Sequence, residues 1–339
     1  MSASVANQQP TPVRIFQMLN AFQQTEALRA ALDLDLFTQL TDTQLSASEL
    51  AKRIGAAPKG ARVLCDYLTI AGLLNKNQDK YSLTPEAQMF LSKRSPAYIG
   101  CATEFMCSDH HRRHFSHLAD SVRRGGAAAE DSSTMPENPM WVNFARGMAP
   151  LRVPAAEFIA KLVGADQHKP MKVLDIAASH GLFGITIARH NPKAEIVAVD
   201  WRNVLEVAKE NAAKAGVQDR YKTIAGSAFD VDFGTGYDVA LVTAFLHHFD
   251  VPTNEKFLKK VHSALKPGGV VATLEFVPNE DRVTPPHAAG FALIMLSNTE
   301  SGDAYTFREL DRMFRNAGFG ASELHTNPNS IDQVIITKK

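Results

Sequence analysis

Cysteine is scarce in this chain. Three occur in 339 residues, Cys65, Cys101 and Cys107, and none stands in a C-x-x-C pair. An odd, scattered set cannot form a complete disulfide framework and suits a reducing compartment. An excess of either charge is also lacking, since 36 lysines and arginines balance 36 aspartates and glutamates. That balance argues against a polyanionic partner, so no nucleic acid is expected. No apolar run approaches the ~20 residues that a membrane span needs. The opening residues, MSASVANQQPTPV, carry neither the basic nor the apolar region of a signal peptide. The expectation is a cytoplasmic protein with no membrane partner. Two phosphate-binding signatures are missing as well, G-x-x-x-x-G-K-[ST] and strict G-x-G-x-x-G.

What is present begins with a core. Hydrophobic residues make up 45% of the chain, and at this length two domains are the default expectation. The chain is organised around VLDIAASHGLFG, Val173 to Gly184. A short apolar strand ends in Asp175, a small-residue turn follows (Ala177 to Gly181), and a helix covers Leu182 to His190. The next apolar run, Ile196 to Val199, ends in Asp200. A strand, slim turn, helix and second strand ending in an acid describe a nucleoside-binding βαβ unit. Without a phosphate clamp, the pattern favours a nucleoside carrying a sulfonium over a dinucleotide.

Before this unit lie two other regions. The residues up to about Pro12 read as a tail, and Ile15, Met18, Leu19 and Phe22 recur at helical spacing. Ser46 to Leu91 has the order of a winged helix. Ser46 and Glu49 form a capping box, Pro58 opens a second helix stopped at Gly72, and two short strands flank Asn75 to Asp79. Its second helix is apolar and poor in basic groups, which favours a scaffold or dimerisation module over DNA binding. Residues 95–165 are helical in pattern and rich in Met, Phe and His. His110, His114 and His117 have a spacing that can bind a metal, but no Cys or carboxylate completes the set, so no metal is expected. The domains expected are therefore 1–94, a helical connector 95–165, and 166–339.

From Met171 strands and helices alternate regularly. Five parallel strands are followed by two, Ser322 to Thr326 and Gln333 to Thr337, joined by a tight turn, Asn327 to Ser330. This α/β pattern matches the Rossmann-like class I methyltransferase sheet with its antiparallel closing hairpin. Ligands bind at the carboxyl ends of such strands. Those ends carry Asp175, Asp200 with Trp201, Gly226-Ser227-Ala228-Phe229, His247 and Glu275. Asp200 can accept from both hydroxyls of a ribose, and Trp201 and Phe229 can flank an adenine. A phenol, with pKa about 10, needs a base to become a nucleophile at neutral pH. His247 is placed to be that base, with Glu275 to hold its tautomer. His248 is expected to pack or bond locally, Asn203 to cap one helix and Asp250 another.

Over nearly its whole length the chain resembles the small-molecule O-methyltransferases, including caffeic acid, acetylserotonin and hydroxyneurosporene methyltransferases. The segments that carry the resemblance are Ser46 to Leu91, VLDIAASHG, IVAVDW, IAGSAF, FLHHFD, ALKPGGVV, LEF and IMLSNTESGDAYTFREL. It implies a homodimer formed through an N-terminal α-helical winged-helix domain. It also implies S-adenosylmethionine as cofactor, with S-adenosylhomocysteine as product. Ala177, Ser179 and Gly181 would form the cofactor loop. Asp200 would hold the ribose, with Asp175, Trp201, Gly226, Ser227, Ala228, Phe229 and Thr243 around the ligand. His247 falls on the catalytic base, Glu275 on one of two flanking acids, and Met295 on a residue that clamps the acceptor. The acceptor pocket would draw on Phe105, Met106, Trp141, Phe144, Met148, Phe291, Met295 and Asn298.

This sequence departs from the family in four places. Ala177 and Ser179 replace loop glycines, Ser227 replaces an acid, Thr243 replaces a lysine of plant members, and the second acid falls at Ala304, beside Asp303. The leading expectation is O-methylation of a small, aromatic, hydroxylated metabolite. Hydroxylation or decarboxylation on the same fold, and a metabolite-sensing winged-helix regulator, are the alternatives.

Overall fold

The computed structural model describes residues 10–129, 133–328 and 330–339. Residues 1–9 of the expected tail, and Asn329 of the expected turn, lie outside them. The chain divides into two compact units, Met1–Thr103 and Glu104–Lys339. Part of the expected connector, from Glu104 onward, thus belongs to the second unit.

The first unit holds α1 (Val13–Leu19), α2 (Phe22–Asp33), α3 (Leu36–Gln39), β1 (Leu45–Ser46), α4 (Ala47–Arg53), α5 (Pro58–Ile70), β2 (Leu74–Asn77), β3 (Lys80–Leu83) and α6 (Pro85–Leu91). The sequence predicts one helix through Phe22, but the chain breaks after Leu19 and restarts at Phe22. α4 starts where predicted. Ser46 accepts the Glu49 amide while Glu49 accepts that of Ser46, which satisfies two end donors at once. Strands pair antiparallel in the order β1-β3-β2. Helix, turn, helix and hairpin therefore follow one another as in a winged helix. Its core is built on Leu36, Phe37, Leu50, Cys65, Leu68 and Tyr81. None of the residues of α1 is buried.

After α7 (Thr103–Met106), the second unit contains α8 (Asp109–Ser116), α9 (Leu118–Arg124), α10 (Met140–Leu162), β4 (Met171–Ile176), α11 (Leu182–His190), β5 (Ala194–Asp200), α12 (Arg202–Lys214), β6 (Tyr221–Ala225), β7 (Tyr237–Thr243), α13 (Val251–Ala264), β8 (Leu265–Glu275), α14 (Pro286–Asn298), α15 (Phe307–Asn316), β9 (Ser322–Thr326) and β10 (Gln333–Lys338). The sheet order is β6-β5-β4-β7-β8-β10-β9, with β4 to β8 parallel and the last two strands antiparallel. Alternation along each strand sends side chains to two cores. On one face Leu174, Ile176 and Val242 meet Phe257, Leu258 and Phe314. On the other Val173, Ala198 and Leu241 meet Ile159, Ile187 and Leu205.

α12 corrects one expectation. Its cap position is Trp201, not Asn203, whose side chain accepts the neighbouring Val204 amide and donates to the Glu137 carbonyl. Asp200 reaches forward instead and accepts the Trp201 amide at 2.7 Å. Asp250 does cap α13, accepting the Thr253 amide. Among the described residues no helix is long and apolar enough to cross a membrane. The strand order reverses between β4 and β7, and in an open sheet that reversal opens a crevice above the carboxyl ends.

Candidate active site

The loop after β4 forms the floor of that crevice. Ala177, Ser179 and Gly181 have φ of 53°, 52° and 73°. All three are left-handed, a conformation costing a non-glycine residue roughly 1–2 kcal/mol. The backbone thus keeps the shape of a glycine loop although two glycines are missing. Surrounding bonds hold it there: Ala178 donates to the Val199 carbonyl, Ser179 donates to Asp200 Oδ2 at 2.7 Å, and Asn211 Nδ2 grips the His180 carbonyl. At Gly181 a Cβ would stand 2.5 Å from the Tyr221 hydroxyl, so a side chain there would force that ring to shift.

Asp200 lies at the end of β5 with both oxygens on backbone amides, those of Ser179 and Trp201. Burial raises its carboxyl to about 6. Asp175, fully buried, accepts the Gly184 amide through Oδ2, and burial pushes its carboxyl well above the ordinary range. Three buried polar atoms near this loop have no partner among the described residues: Asp175 Oδ1, Ser179 Oγ and the Tyr221 hydroxyl. Such atoms are costly to seal away unless a ligand or ordered water meets them. Together with Asp200 they suit a ligand rich in hydroxyl and amine groups. His180 is turned inward and buried, with Nδ1 accepting the Leu182 amide. Burial, then the nearby Arg152 charge, lowers it to about 3, so it is neutral.

The second cluster sits at the ends of β7 and β8. Their pairing sets Thr243 beside Leu274. The short turn after β7 then brings His247 onto Glu275, 28 residues away, with Nδ1 2.5 Å from Oε2. Glu275 Oε1 accepts the amides of Phe245 and Leu246 at 3.1 and 2.9 Å. Both residues are nearly inaccessible, at 5% and 3% exposure. With Nδ1 bonded to a carboxylate, the proton sits on Nδ1 and Nε2 is left with its lone pair. Asn254 of α13 pins the turn by donating to the carbonyls of Leu246 and Phe249. Asp303 pairs with Arg282, and Ala304 is buried. Glu275 is the carboxylate bonded to this histidine.

Aromatic rings extend from the pair. His247 meets Phe291 edge-on at 4.8 Å, and Phe291 stacks on Phe276 at 4.0 Å. On the other side His248 meets Trp141, which contacts Phe144 and Phe105. Other expected acceptor residues differ in setting. Met106 is 60% exposed, whereas Met148, Met295 and Asn298 are buried. Asn298 donates to the Ile294 carbonyl. Trp201 packs with Ala145, Val204 and Val207. Phe229 joins the rings of Phe245, Phe249 and Phe257. Gly226 has φ 140°, Ser227 Oγ accepts the Phe229 amide, and Thr243 is buried. His114 bonds the Ser297 carbonyl, while His117 faces outward beside Asp120.

Some contributors carry no sequence signal. Lys260 reaches back from α13 to the carbonyls of Ala228 and Phe229, each at 2.9 Å. Tyr221 begins β6, yet its hydroxyl touches the β4 loop. Arg152, a buried cation from α10, pairs with Asp332. Gly302 packs directly on the base: a Cβ would lie 2.2 Å from the His247 carbonyl.

An O-methyltransferase domain model matches residues 137–320, and an O-methyltransferase dimerisation domain model matches 16–93. A 3-hydroxy-5-methyl-1-naphthoate 3-O-methyltransferase of Streptomyces sahachiroi is 27% identical over 319 residues, 93% of this chain and 91% of that one. A Nostoc punctiforme structure, an O-methyltransferase by its own provisional designation, is 48% identical with TM-score 0.95, covering 98% of this chain and all of that one (100%). Human N-acetylserotonin methyltransferase, solved with S-adenosylmethionine, shares the fold at 20% identity, TM-score 0.83 and 99% coverage of both chains. The chain belongs to the O-methyltransferase family.

Gly302→Ala should crowd the backbone beneath the histidine and cost about 1–3 kcal/mol, as overpacking does. Thermal unfolding reads this as a lowered midpoint, and an unchanged midpoint would show that the loop yields freely.

Proposed function

We propose that this protein transfers a methyl group from S-adenosylmethionine to a hydroxyl of a small aromatic metabolite, with His247 as general base. One observation carries the reading: a buried imidazole, oriented by Glu275, with its far nitrogen available above the strand ends. The named activities of the relatives support the reaction class. The ring-lined surroundings, from Phe105 and Trp141 to Phe291, support an aromatic acceptor.

The residues around the β4 loop fit the cofactor. Asp200 would accept from its ribose hydroxyls, while Ser179 Oγ and Asp175 Oδ1 offer buried polar partners. When bound, S-adenosylmethionine supplies an electrophilic methyl group on a sulfonium. The protein's own part is proton management. His247 Nε2 takes the hydroxyl proton as the oxygen becomes nucleophilic, and Glu275 stabilises the imidazolium that forms. The amides of Phe245 and Leu246 hold Glu275 Oε1 and so aim Oε2 at the imidazole. Glu275 is the acid bonded to the base, and Asp303 is engaged by Arg282.

The same reading includes a cytoplasmic homodimer formed through the N-terminal region, residues 1–94. Ile15, Phe16, Met18, Leu19 and Phe22 are each 58–71% exposed. So dense an apolar surface on α1 and the start of α2 marks an interaction site, and the dimerisation-domain match covers it from residue 16.

Three outcomes follow. Labelled methyl transfer to a panel of phenols should be detectable, and His247→Ala should reduce kcat about 10²–10⁴-fold. A fully active His247→Ala protein would refute the base assignment. The second outcome concerns pH. Asp200 is raised to about 6, so between the ordinary carboxylate range and that value the folded protein holds a proton that the unfolded chain has released. Its contribution to stability therefore falls as pH rises through this window. Ribose recognition needs the carboxylate, so cofactor affinity moves the opposite way. Calorimetry should show S-adenosylhomocysteine binding weaken by up to about tenfold per pH unit below about 6, and Asp200→Asn should flatten that dependence. Equal affinities on both sides of that pH would exclude this role. Third, sedimentation should show a dimer that Phe16→Asp with Phe22→Asp converts to monomer. Unchanged sedimentation would place the interface elsewhere.

A further inference from the structure

Lys260 has no task in the proton chemistry above, yet it is tied to the loop after β6. It lies one turn after Phe257 on α13, so both side chains leave the same face of that helix. Its Nζ donates to the carbonyls of Ala228 and Phe229, each at 2.9 Å, and stands 4.3 Å from the centroid of the Phe233 ring. An ammonium has three donors, and here two carbonyls and one aromatic face meet them. Burial lowers this ammonium from its ordinary value, against the pull of the Asp230 and Asp232 carboxylates. A half-buried residue needed only for packing would be better served by a methionine, which has no charge to draw out of water.

The same loop is fixed from its other side by Ser227. Its Oγ accepts the Phe229 amide, and its carbonyl accepts the amides of Asp230 and Val231. Phe229 is thus held at its amide by Ser227 and at its carbonyl by Lys260. Its ring packs on Phe245, Phe249 and Phe257. A ring whose backbone is pinned at both ends is a fixed wall for whatever lies against it.

We propose that Lys260 is a positioning residue for the nucleoside end of S-adenosylmethionine: by holding the carbonyls of Ala228 and Phe229, its ammonium sets the Phe229 ring against which the adenine rests. The inference rests on the cofactor reading above and gives α13, a helix that follows the catalytic turn, a share in cofactor affinity. Lys260 acts through Phe229, so its loss appears as lost affinity for the nucleoside, whether or not the amino-acid end is attached.

Calorimetry on the full chain tests this with two probes, S-adenosylhomocysteine and methylthioadenosine, a nucleoside thioether that lacks the amino-acid end. Lys260→Met keeps the apolar stem and should weaken both probes by the same factor, about tenfold, as loss of charge-assisted hydrogen bonds does. Phe229→Leu should weaken both as well. In the combined variant the two losses should not multiply, because each single change removes the same contact. Melting curves establish that each variant is folded. If Lys260→Met does not fold, Lys260→Gln carries the same test with a smaller loss expected. Unchanged affinity in the lysine variant overturns the proposal. So does a loss confined to S-adenosylhomocysteine, which would place the effect at the amino-acid end. Losses that multiply also overturn it, since the two residues would then act independently. A wild-type protein that binds neither probe overturns the cofactor reading together with this inference.

Discussion

Glu275 is the fixed point of the second unit. A carboxylate at 3% exposure is tolerated only when its oxygens are bonded. Here two backbone amides and one imidazole N–H meet them. Those three donors come from one turn, Phe245 to His247, so a single side chain on β8 dictates the path of the chain leaving β7. The tautomer of His247 follows from the same bond. Asn254 secures the turn from behind, and Gly302 is confined to glycine by the carbonyl it leaves no room around. Losing the carboxylate would unseat backbone as well as base.

The cofactor side obeys a different constraint. Its loop is held in three left-handed residues, two of which are not glycine. The strain persists because the Asp200 carboxylate, the Val199 carbonyl and Asn211 fix the loop independently. Asp200 thereby serves the fold and the ligand with one carboxylate, tied to the loop on one oxygen and to the start of α12 on the other. Sheet topology brings the two halves together, because β4 and β7 are neighbours at the point where strand order reverses.

Much of this was legible in the sequence. Strand ends are marked by Asp175, Asp200 and Glu275, and the alternation of apolar runs with capped helices sets the sheet. His247 and Glu275 could be paired because adjacent parallel strands end at the same level. Less legible was anything depending on side-chain reach. Tyr221 enters the loop from the far end of its strand, and Lys260 and Asn254 return from a helix lying after the site in sequence. Ala177 and Ser179 resemble losses when only residue identity is read, yet the backbone adopts the glycine conformation regardless. Asn203 was a sound cap by residue type, but α12 starts one residue earlier, at Arg202, and has no side-chain cap.

The account turns on where one proton sits. Nitrogen-labelled histidine, followed by nuclear magnetic resonance in the folded protein at neutral pH, reports it directly. His247 should show a protonated Nδ1 in a strong hydrogen bond and a bare, pyridine-like Nε2, with Glu275→Gln weakening that signature. A proton on Nε2 with Nδ1 bare would mean that the nitrogen facing the acceptor cannot serve as the base, and would contradict the assignment on which the catalytic reading depends.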